Sequence, residues 1–291
     1  MVGSAMFFGA MAFSAKMASA RLPGAQVAMI RFATGLLPVF LVRQFRARAF
    51  TFQRLDLLFY RGFFGGTAVL CYFIAIEKID VGVATLLNYT SPLFSGILSM
   101  LFLREKISAK VLIPVPVALA GVYLVVRAHS RPDDLLGFGQ WEMVGLFSAM
   151  LSGAAVTSMR AARQTGENSW AVYTSFCLLG TILTAAPAIA AWRIPGGVEW
   201  MWLAATSVFA VAAQLLLTFT LRWVDAMTVG VISQLAVLVA MVFGATLLGE
   251  RISTMAAMGA ALTISGVVGV VYVTSLAKRT VVTAAEVAPE A

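Results

Sequence analysis

Long apolar stretches alternate with short polar connections along the whole chain of 291 residues. A helix needs about 20 apolar residues to cross the hydrocarbon core of a bilayer, so this pattern predicts helices that span a membrane. We predict ten such spans. They cover residues 2–19, 25–42, 57–76, 81–103, 109–127, 141–159, 169–191, 199–221, 226–248 and 254–276.

The second half of the chain repeats the first half. Residues 80–126 align without a gap with residues 225–271, at an offset of 145. Each unit of this length holds five predicted spans, and an odd number of spans inserts the second unit upside down relative to the first. Inverted repeats of this kind are typical of secondary transporters. Identical residues at this offset include Asp80 and Asp225, Glu105 and Glu250, and Gly121 and Gly266.

Composition and charge agree with a membrane protein. The chain is 60% hydrophobic and 12% charged, whereas soluble domains carry about 25% charged residues. A net charge of +8 would suggest nucleic acid as the partner of a soluble protein, but here the basic residues occupy short loops. Twelve fall in the even-numbered loops and the C-terminal tail, against seven in the odd-numbered loops. The positive-inside rule therefore predicts that both termini are cytoplasmic, in the inner or plasma membrane.

The repeats define the domain organisation. The first repeat covers residues 1–127 and the second residues 141–277, with a polar linker at 128–140 and a cytoplasmic tail at 278–291. We expect no metal site and no cofactor, because His129 has no nearby Cys or His and no glycine-rich phosphate loop follows a predicted strand. A membrane enzyme would need a convergent nucleophile and base, and none is visible.

Three short segments resemble a known family. They are Ala84-Thr-Leu-Leu-Asn-Tyr-Thr-Ser-Pro92 and Leu101-Phe-Leu-Arg-Glu-Lys-Ile-Ser108 in the first repeat, and Leu247-Leu-Gly-Glu-Arg-Ile-Ser253 in the second. In order, spacing and duplication they resemble the EamA domain of the drug/metabolite transporter superfamily, and within it the YddG-type amino-acid exporters. The resemblance implies an all-α integral membrane protein with ten transmembrane helices, as two inverted five-helix repeats around a central cavity lined by spans 3, 4, 8 and 9. It also implies that the protein moves small metabolites.

Predicted span 4 carries polar residues on one face, since their spacings of three and four place them on the same side of a helix. We interpret this face as lining the cavity, because Asn88 and Tyr89 are too large for a tight helix crossing. The matching face of span 9 carries small residues, for which we favour close helix packing over cavity lining. The span 4 face comprises Thr85, Asn88, Pro92, Ser95 and Ser99, and the span 9 face comprises Gly230, Ser233, Val237, Ala240 and Gly244.

Pro92 has a specific consequence for the Asn88 carbonyl. Proline has no amide hydrogen, so this carbonyl loses its helical partner. The carbonyl could then accept a hydrogen bond from the ammonium group of a substrate. The alternative, which we favour slightly, is a kink whose polar groups find other partners. The second repeat has Val237 at this position, so only one repeat has the proline.

Further polar side chains in the predicted spans are costly to expose to lipid. Gln214 and Gln234 are therefore expected to face protein or a water-filled cavity. The second repeat also has Ser233-Gln234 where the first has Asn88-Tyr89, and we place the substrate at this difference between the repeats. The predicted substrate site comprises Tyr72, Thr85, Asn88, Tyr89, Pro92, Gln214, Thr218, Ser233 and Gln234.

Arg31 is the only cation placed deep within a predicted span. It could attract a substrate carboxylate, but we favour a structural interpretation in which it snorkels to the outer surface or pairs with Glu77. We interpret Glu105 and Glu250, which follow spans 4 and 9, as structural too. No Asp or Glu lies in the middle of a predicted span, so no proton relay is evident. An uncharged polar and aromatic cavity suits a zwitterion, whereas an organophosphate carrier would need paired cations deep in the spans.

These features predict a secondary transporter that exports amino acids or similar small metabolites by alternating access. Gly62, Gly65 and Gly66 in span 3 could supply flexing points. One alternative is efflux of drugs or hydrophobic cations, which would favour a carboxylate in the cavity. Another is a membrane protein that transports nothing, against which the polar face of span 4 argues. The expected partners are a small-molecule substrate and the lipid bilayer, without nucleic acid, and the protein could be a monomer.

Overall fold

The computed structural model describes residues 2–103, 113–129, 139–220 and 232–287. In these ranges the only regular secondary structure is helical. The helices are α1 (Val2–Ala18), α2 (Gly24–Gly35), α3 (Leu37–Leu41), α4 (Arg43–Ala49), α5 (Leu55–Lys78), α6 (Val81–Asn88), α7 (Ser91–Leu103), α8 (Pro114–His129), α9 (Gln140–Gln164), α10 (Ser169–Ala190), α11 (Gly197–Thr220), α12 (Leu235–Leu247) and α13 (Thr254–Val287).

Seven segments of the described chain are long and apolar enough to cross a membrane. Helices α1, α8 and α12 are apolar but shorter, and they lie within predicted spans 1, 5 and 9. An all-helical membrane architecture is therefore confirmed, while the ten-span inverted repeat stays a prediction. The seven segments are Gly24–Leu41, Leu55–Lys78, Val81–Leu98, Gln140–Ala162, Ser169–Ala190, Gly197–Leu217 and Thr254–Val273.

Apolar side chains cover much of the outer surface of these helices. Ile189 on α10 is 67% exposed and Val208 on α11 is 63% exposed. Apolar patches of this extent are unfavourable in water, and the hydrocarbon of a bilayer is the solvent that accepts them. The main buried cluster lies chiefly between α1, α2, α5 and α11, where Phe73 and Ile76 are fully buried.

The span predicted over residues 81–103 is built from two helices, and Val81–Leu98 is among the segments long and apolar enough to cross a membrane. Helix α6 ends at Asn88, and α7 begins three residues later. Pro92 occupies the first turn of α7, where its missing amide hydrogen costs no helical hydrogen bond. Between the helices, the Thr90 amide donates to the Leu87 carbonyl at 3.1 Å. The chain of predicted span 4 is thus interrupted near its middle.

Helices at equivalent positions of the two repeats pack against each other through glycines. Gly121 on α8 lies against the backbone of Thr263 on α13, and Gly266 on α13 lies against Ala118 on α8. The offset of 145 residues converts one contact into the other. Moving along α8 from Ala118 to Gly121, the contacting residue on α13 changes from Gly266 back to Thr263. Helices α8 and α13 therefore run antiparallel.

Helices α2 and α10 cross in the same manner. Gly35 packs on the Cys177 sulfur, and Gly180 packs on the Phe32 ring. The same offset exchanges these two contacts, and the numbers again run in opposite directions. Equivalent segments of the sequence are therefore antiparallel at two separate crossings.

The glycines of predicted span 3 also serve helix packing. Gly62, Gly65 and Gly66 all face α10, and Gly66 lies next to the backbone of Gly180. A side chain at any of these positions would overlap atoms of the neighbouring helix. In this structure they allow α5 to approach α10 closely, and the flexing role suggested from the sequence stays a prediction.

Candidate substrate site

Tyr72 on α5 and Thr85 on α6 are brought together by the fold. Their hydroxyl oxygens lie 2.9 Å apart, and Thr85 also donates to the Val81 carbonyl at 2.7 Å. Since Thr85 uses its one hydrogen in that bond, it accepts from Tyr72. Both side chains are buried, so this pair holds α5 against α6.

Asn88 ends α6 and faces α9. Its Nδ2 donates to Ser148 Oγ at 2.9 Å and to Ser152 Oγ at 3.3 Å. The two serines are four residues apart, which puts them on the same face of α9. Sequence reasoning missed these serines, although their helical spacing within an apolar span is visible in the sequence. At Asn88 the polar face of span 4 therefore contacts span 6. The resemblance implies a cavity lined by spans 3, 4, 8 and 9, and span 6 is not one of them.

Tyr89 and Gln234 contact each other although they lie 145 residues apart. Gln234 Nε2 donates to the Tyr89 carbonyl at 3.4 Å, and the glutamine is only 4% exposed. Because the repeats are offset by the same number of residues, this contact joins equivalent positions. The difference between the repeats that the sequence indicated therefore lies where the two halves meet. Ser233 precedes it and is partly buried.

The remaining residues of the predicted site lie elsewhere. Pro92 is partly buried in the first turn of α7. Gln214 lines a cleft between α2, α10 and α11. The Thr218 side chain lies outside the part of the structure that is described. The fold thus pairs Tyr72 with Thr85, while Gln214 lines a cleft whose lining includes neither of them.

The small-residue face of span 9 serves helix packing where it is described. Ala240 belongs to the main buried cluster. Gly244 lies against the Val81 side chain and the Glu250 carboxylate. Gly230 falls outside the described residues. These contacts agree with the packing interpretation of this face.

Glu250 caps the start of α6 from the other half of the chain. Its Oε1 accepts a hydrogen bond from the Val81 amide at 2.8 Å. The structural interpretation of Glu250 agrees with this bond, while Glu105 lies outside the described residues. Burial raises the pKa of the Glu250 carboxyl above its usual value, and the nearby negative charge of Asp80 acts in the same direction.

The environment of Arg31 contradicts the interpretation favoured from the sequence. Arg31 is only 7% exposed, so it does not snorkel to the surface. Glu77 does not pair with it, because its carboxylate accepts from the Gly24 amide at 2.7 Å and contacts Lys78 Nζ at 2.6 Å. Within the described ranges, Arg31 Nε and Nη1 are buried and have no hydrogen-bond partner.

Two aromatic rings stand beside the Arg31 guanidinium where an acid would be expected. Its Cζ lies 5.2 Å from the centre of the Phe32 ring and 5.6 Å from that of Phe73. A desolvated cation–π contact contributes about 2 kcal/mol, whereas burying an ion costs several kcal/mol. The rings offset only part of this cost, so the guanidinium keeps a strong preference for an anionic neighbour.

Arg61 is a second cation beside the same aromatic cluster. Its Cζ lies 4.3 Å from the centre of the Phe176 ring, which meets the Phe32 ring edge to face at 5.1 Å. Arg61 Nε is also buried without a partner among the described residues. Arg61 is the seventh residue of α5, near the start of that helix, so the expectation of a single cation deep in the spans stays a prediction. Sequence reasoning assigned Arg61 to the start of span 3, whereas α5 begins earlier, at Leu55.

Arg31 faces a narrow cleft between α2, α10 and α11. The cavity volume is about 10 Å³, which is room for about one water molecule. One wall is fixed by the Tyr173 hydroxyl, which donates to the Gly35 carbonyl at 2.8 Å. Arg31 also packs on the Phe73 ring, which meets the Tyr72 ring edge to face at 5.8 Å, so one ring lies between Arg31 and Tyr72 of the predicted substrate site. The cleft is lined by Arg31, Phe32, Gly35, Tyr173, Phe176, Cys177, Ala210, Val211 and Gln214.

Several contacts join the two halves of the chain at the predicted outer end. The Gln26 side chain donates to the Arg193 carbonyl at 2.8 Å and accepts from the Arg193 amide at 3.0 Å. Arg21 lies 3.5 Å from the Glu199 carboxylate. Together with the Glu250 cap, these bonds connect the two halves at this end.

The sequence matches one family in both of its halves. The profile of the EamA-like transporter family covers residues 1–127 and 139–272. The chain belongs to this family. One relative, the pseudopaline exporter CntI of Pseudomonas aeruginosa, is 30% identical over 215 residues, which are 72% of this chain and 73% of the relative. Human solute carrier family 35 member G1 is 24% identical over 206 residues, which are 66% of this chain and 55% of that protein.

A solved crystal structure shares the fold of this EamA-family chain. The superposition gives a TM-score of 0.58 at 21% sequence identity and covers 96% of this chain and 97% of the other. At this identity the likeness concerns the fold alone. The family and the apolar helices together confirm a multi-pass membrane transporter of small metabolites, and the prediction that it is no enzyme is confirmed with them.

Proposed function

We propose that this EamA-family protein exports amino acids or similar small metabolites by alternating access between two inverted five-helix repeats. The observation that carries the proposal is the family match over both halves, together with a 30% identical relative that is itself an exporter. The substrate class follows from a site of hydroxyl, amide and aromatic groups, which suits a zwitterion with an apolar side chain.

The contacts between equivalent segments support the inverted arrangement. Helices α8 and α13 cross antiparallel, as do α2 and α10. The bond between Tyr89 and Gln234 joins a third equivalent pair. Such transporters bind substrate near the middle of the membrane, where the repeats meet and where helices are interrupted. The break between α6 and α7 is adjacent to Tyr89.

The small volume of the cleft supports a mechanism in which the helices change conformation during transport. A cavity of about 10 Å³ is too small for any metabolite. Binding therefore requires α2, α10 and α11 to separate, and release to the outside requires the bonds of Gln26 and Glu250 with the opposite half to break. Alternating access supplies both movements.

The buried cations argue against the alternative of hydrophobic-cation efflux. Arg31 and Arg61 place positive charge beside the cleft, and like charges in a low-dielectric interior repel strongly. A cationic drug would need a carboxylate in their place.

Flux into liposomes tests the proposal. Purified protein is reconstituted, and uptake of amino acids, organic cations and phosphorylated metabolites is compared with and without a pH gradient, using protein-free liposomes as the control. We expect saturable amino-acid flux that the gradient does not change, because no Asp or Glu lies in the middle of a predicted span.

Two results would overturn this assignment. Gradient-driven flux of organic cations alone would favour drug efflux. Absence of flux for every class, from protein that remains monodisperse after reconstitution, would favour a membrane protein that transports nothing.

A further inference from the structure

Two guanidinium groups, one buried and one partly buried, lie near the same pair of aromatic rings, and no carboxylate in the described part of the chain is within ion-pair distance of either. They belong to Arg31 on α2 and Arg61 on α5, and the rings of Phe32 and Phe176 stand between them. A structural arginine inside a protein is ordinarily paired with an acid or saturated with hydrogen bonds. Arg31 has neither within the described ranges, so its charge is free to attract an anion.

We propose that Arg31 binds a carboxylate group of the transported metabolite. A guanidinium offers a rigid, planar set of N–H donors that matches the two oxygens of a carboxylate. Two of the three Arg31 nitrogens are buried without a described partner, and the residue lines the cleft between α2, α10 and α11. The proposal rests on the transport function above and specifies its substrate class as organic acids and amino acids.

The opposite wall of the cleft indicates what the carboxylate is attached to. Ala210, Val211 and Gln214 of α11 line this wall, giving an apolar surface with one amide beside it. An aliphatic or aromatic body fits such a surface, and the amide fits a single polar group. The substrate that matches is a carboxylate with an apolar body.

Arg31 lies next to the crossing of α2 and α10, near the expected middle of the membrane. A substrate site at this depth can be reached from either side in turn. Arg31 directly precedes Phe32, which packs on Gly180 where α2 and α10 cross. In an inverted repeat, the crossing of two equivalent helices lies at the membrane mid-plane. Arg61, nearer the predicted cytoplasmic end of α5, supplies a second positive charge on the way to this position.

Ligand binding to the purified full-length protein tests the assignment. Each amino acid is compared with its carboxamide, for example L-leucine with L-leucinamide and L-phenylalanine with L-phenylalaninamide, and glycerol 3-phosphate serves as the phosphate probe. The variants are Arg31→Gln, Arg31→Lys and, as a matched control, Arg54→Gln, because Arg54 is exposed and pairs only with Asp56 among side-chain acids. Affinity is measured by thermal shift and by displacement of the labelled acid.

We expect the acids to bind at least 10-fold more tightly than their amides. Arg31→Gln should lose at least 10-fold in affinity for the acid and should no longer distinguish acid from amide. Arg31→Lys should lose less, because it keeps the charge without the planar set of donors, and Arg54→Gln should bind as the wild type does.

A second measurement separates binding from a structural role. Removal of an unpaired buried charge should leave the melting temperature of unliganded Arg31→Gln unchanged or raise it. A merely structural Arg31 would give a lower melting temperature with unchanged preference for acids. Because the acid–amide comparison also uses the wild type, the test holds even where a variant fails to fold.

The outcomes distinguish this proposal from the transport function. Wild-type affinity for acids in Arg31→Gln, equal binding of acids and amides, or binding of glycerol 3-phosphate alone would each overturn the carboxylate assignment. Acid binding that depends on Arg31, without flux in liposomes, would uphold it and overturn export. Flux that does not distinguish acids from amides would uphold export and overturn the role of Arg31.

Discussion

Asn88 and Arg31 are both polar groups within the helical core, but they differ in what they bond. Asn88 donates to two serines of α9. Arg31 has two buried nitrogens with no partner in the described structure. A carboxylate can approach Arg31 without breaking an existing bond, whereas the Nδ2 group of Asn88 can donate to a substrate only after its bonds to the serines are broken. In this conformation Asn88 therefore contributes to stability.

Replacement of Asn88 by alanine is expected to lower the free energy of unfolding by about 0.5–1.5 kcal/mol, because its bonds to Ser148 and Ser152 are lost while Ser148 keeps its bond to the Gly145 carbonyl. Thermal denaturation of purified protein measures the effect. The double variant Ser148→Ala, Ser152→Ala should add little further loss when it is combined with Asn88→Ala. Ser158→Ala is the control, since that hydroxyl bonds only to the Ala154 carbonyl of its own helix. Wild-type stability of Asn88→Ala would contradict this account.

Residue types alone did not allow the setting of Arg31 to be predicted. The sequence placed Arg31 inside a span and thus identified it as exceptional. Its ring partner Phe73 comes from α5, and Phe176 from α10 positions the second cation. Such neighbours depend on how helices pack, which apolar periodicity leaves open. The pairing with Glu77 failed for the same reason, because Glu77 caps α2 at Gly24 instead.

At the scale of helices, the pattern of apolar residues was a good guide to where they occur and a poor guide to where they break. The helix over 81–103 divides because the turn at Thr90 precedes Pro92, which then starts α7. Proline marks a change in the chain, but its position alone does not fix the last residue of the preceding helix. The helix crossings at glycine could not be predicted from the sequence either, since a small residue is equally compatible with helix packing, a bend or a cavity.

The α8–α13 crossing should fail when either of its equivalent glycines gains a side chain. Gly121→Ala and Gly266→Ala each place a methyl group against the backbone of the other helix. We expect each to cost about 1–3 kcal/mol of stability. Gly96→Ala in α7 is the matched control, because among the described residues no atom outside the adjacent backbone of α7 lies within 4 Å of the new methyl group. It should be neutral or stabilising by up to about 1 kcal/mol. Equal melting temperatures for all three variants would show that the crossing is not tight.

At the scale of the whole molecule, the bond from Glu250 to Val81 connects one half of the chain to a helix end in the other. Burial, supported by the charge of Asp80, raises the pKa of Glu250 above its usual 4.5, while Lys16 opposes this shift. A carboxyl with a raised pKa holds its proton more tightly in the folded state than in the unfolded chain. Its contribution to stability is therefore complete below pH 4.5 and is lost as the pH rises through the raised value.

The pH dependence of melting should reveal this contribution. The melting temperature of the wild type, measured relative to Glu250→Gln, is expected to fall as the pH rises from 4.5. Glutamine keeps an oxygen that can accept from the Val81 amide but does not titrate. All other ionisable groups are the same in both proteins, so their effect on the melting temperature is removed in the difference. A difference that stays constant, or that grows with pH, would contradict the raised pKa.

The contact between Tyr89 and Gln234 has a consequence for how a ligand can lie in the protein. In a dimer of identical five-helix chains, a residue on the symmetry axis meets its own copy, and the pocket presents the same groups in both directions. An asymmetric molecule would then bind equally well either way round. Here a single chain holds both positions, with a phenol on one side and an amide on the other. In the proposed inverted arrangement the two ends of the central site therefore differ, and we expect a metabolite bound there to keep one orientation throughout its passage.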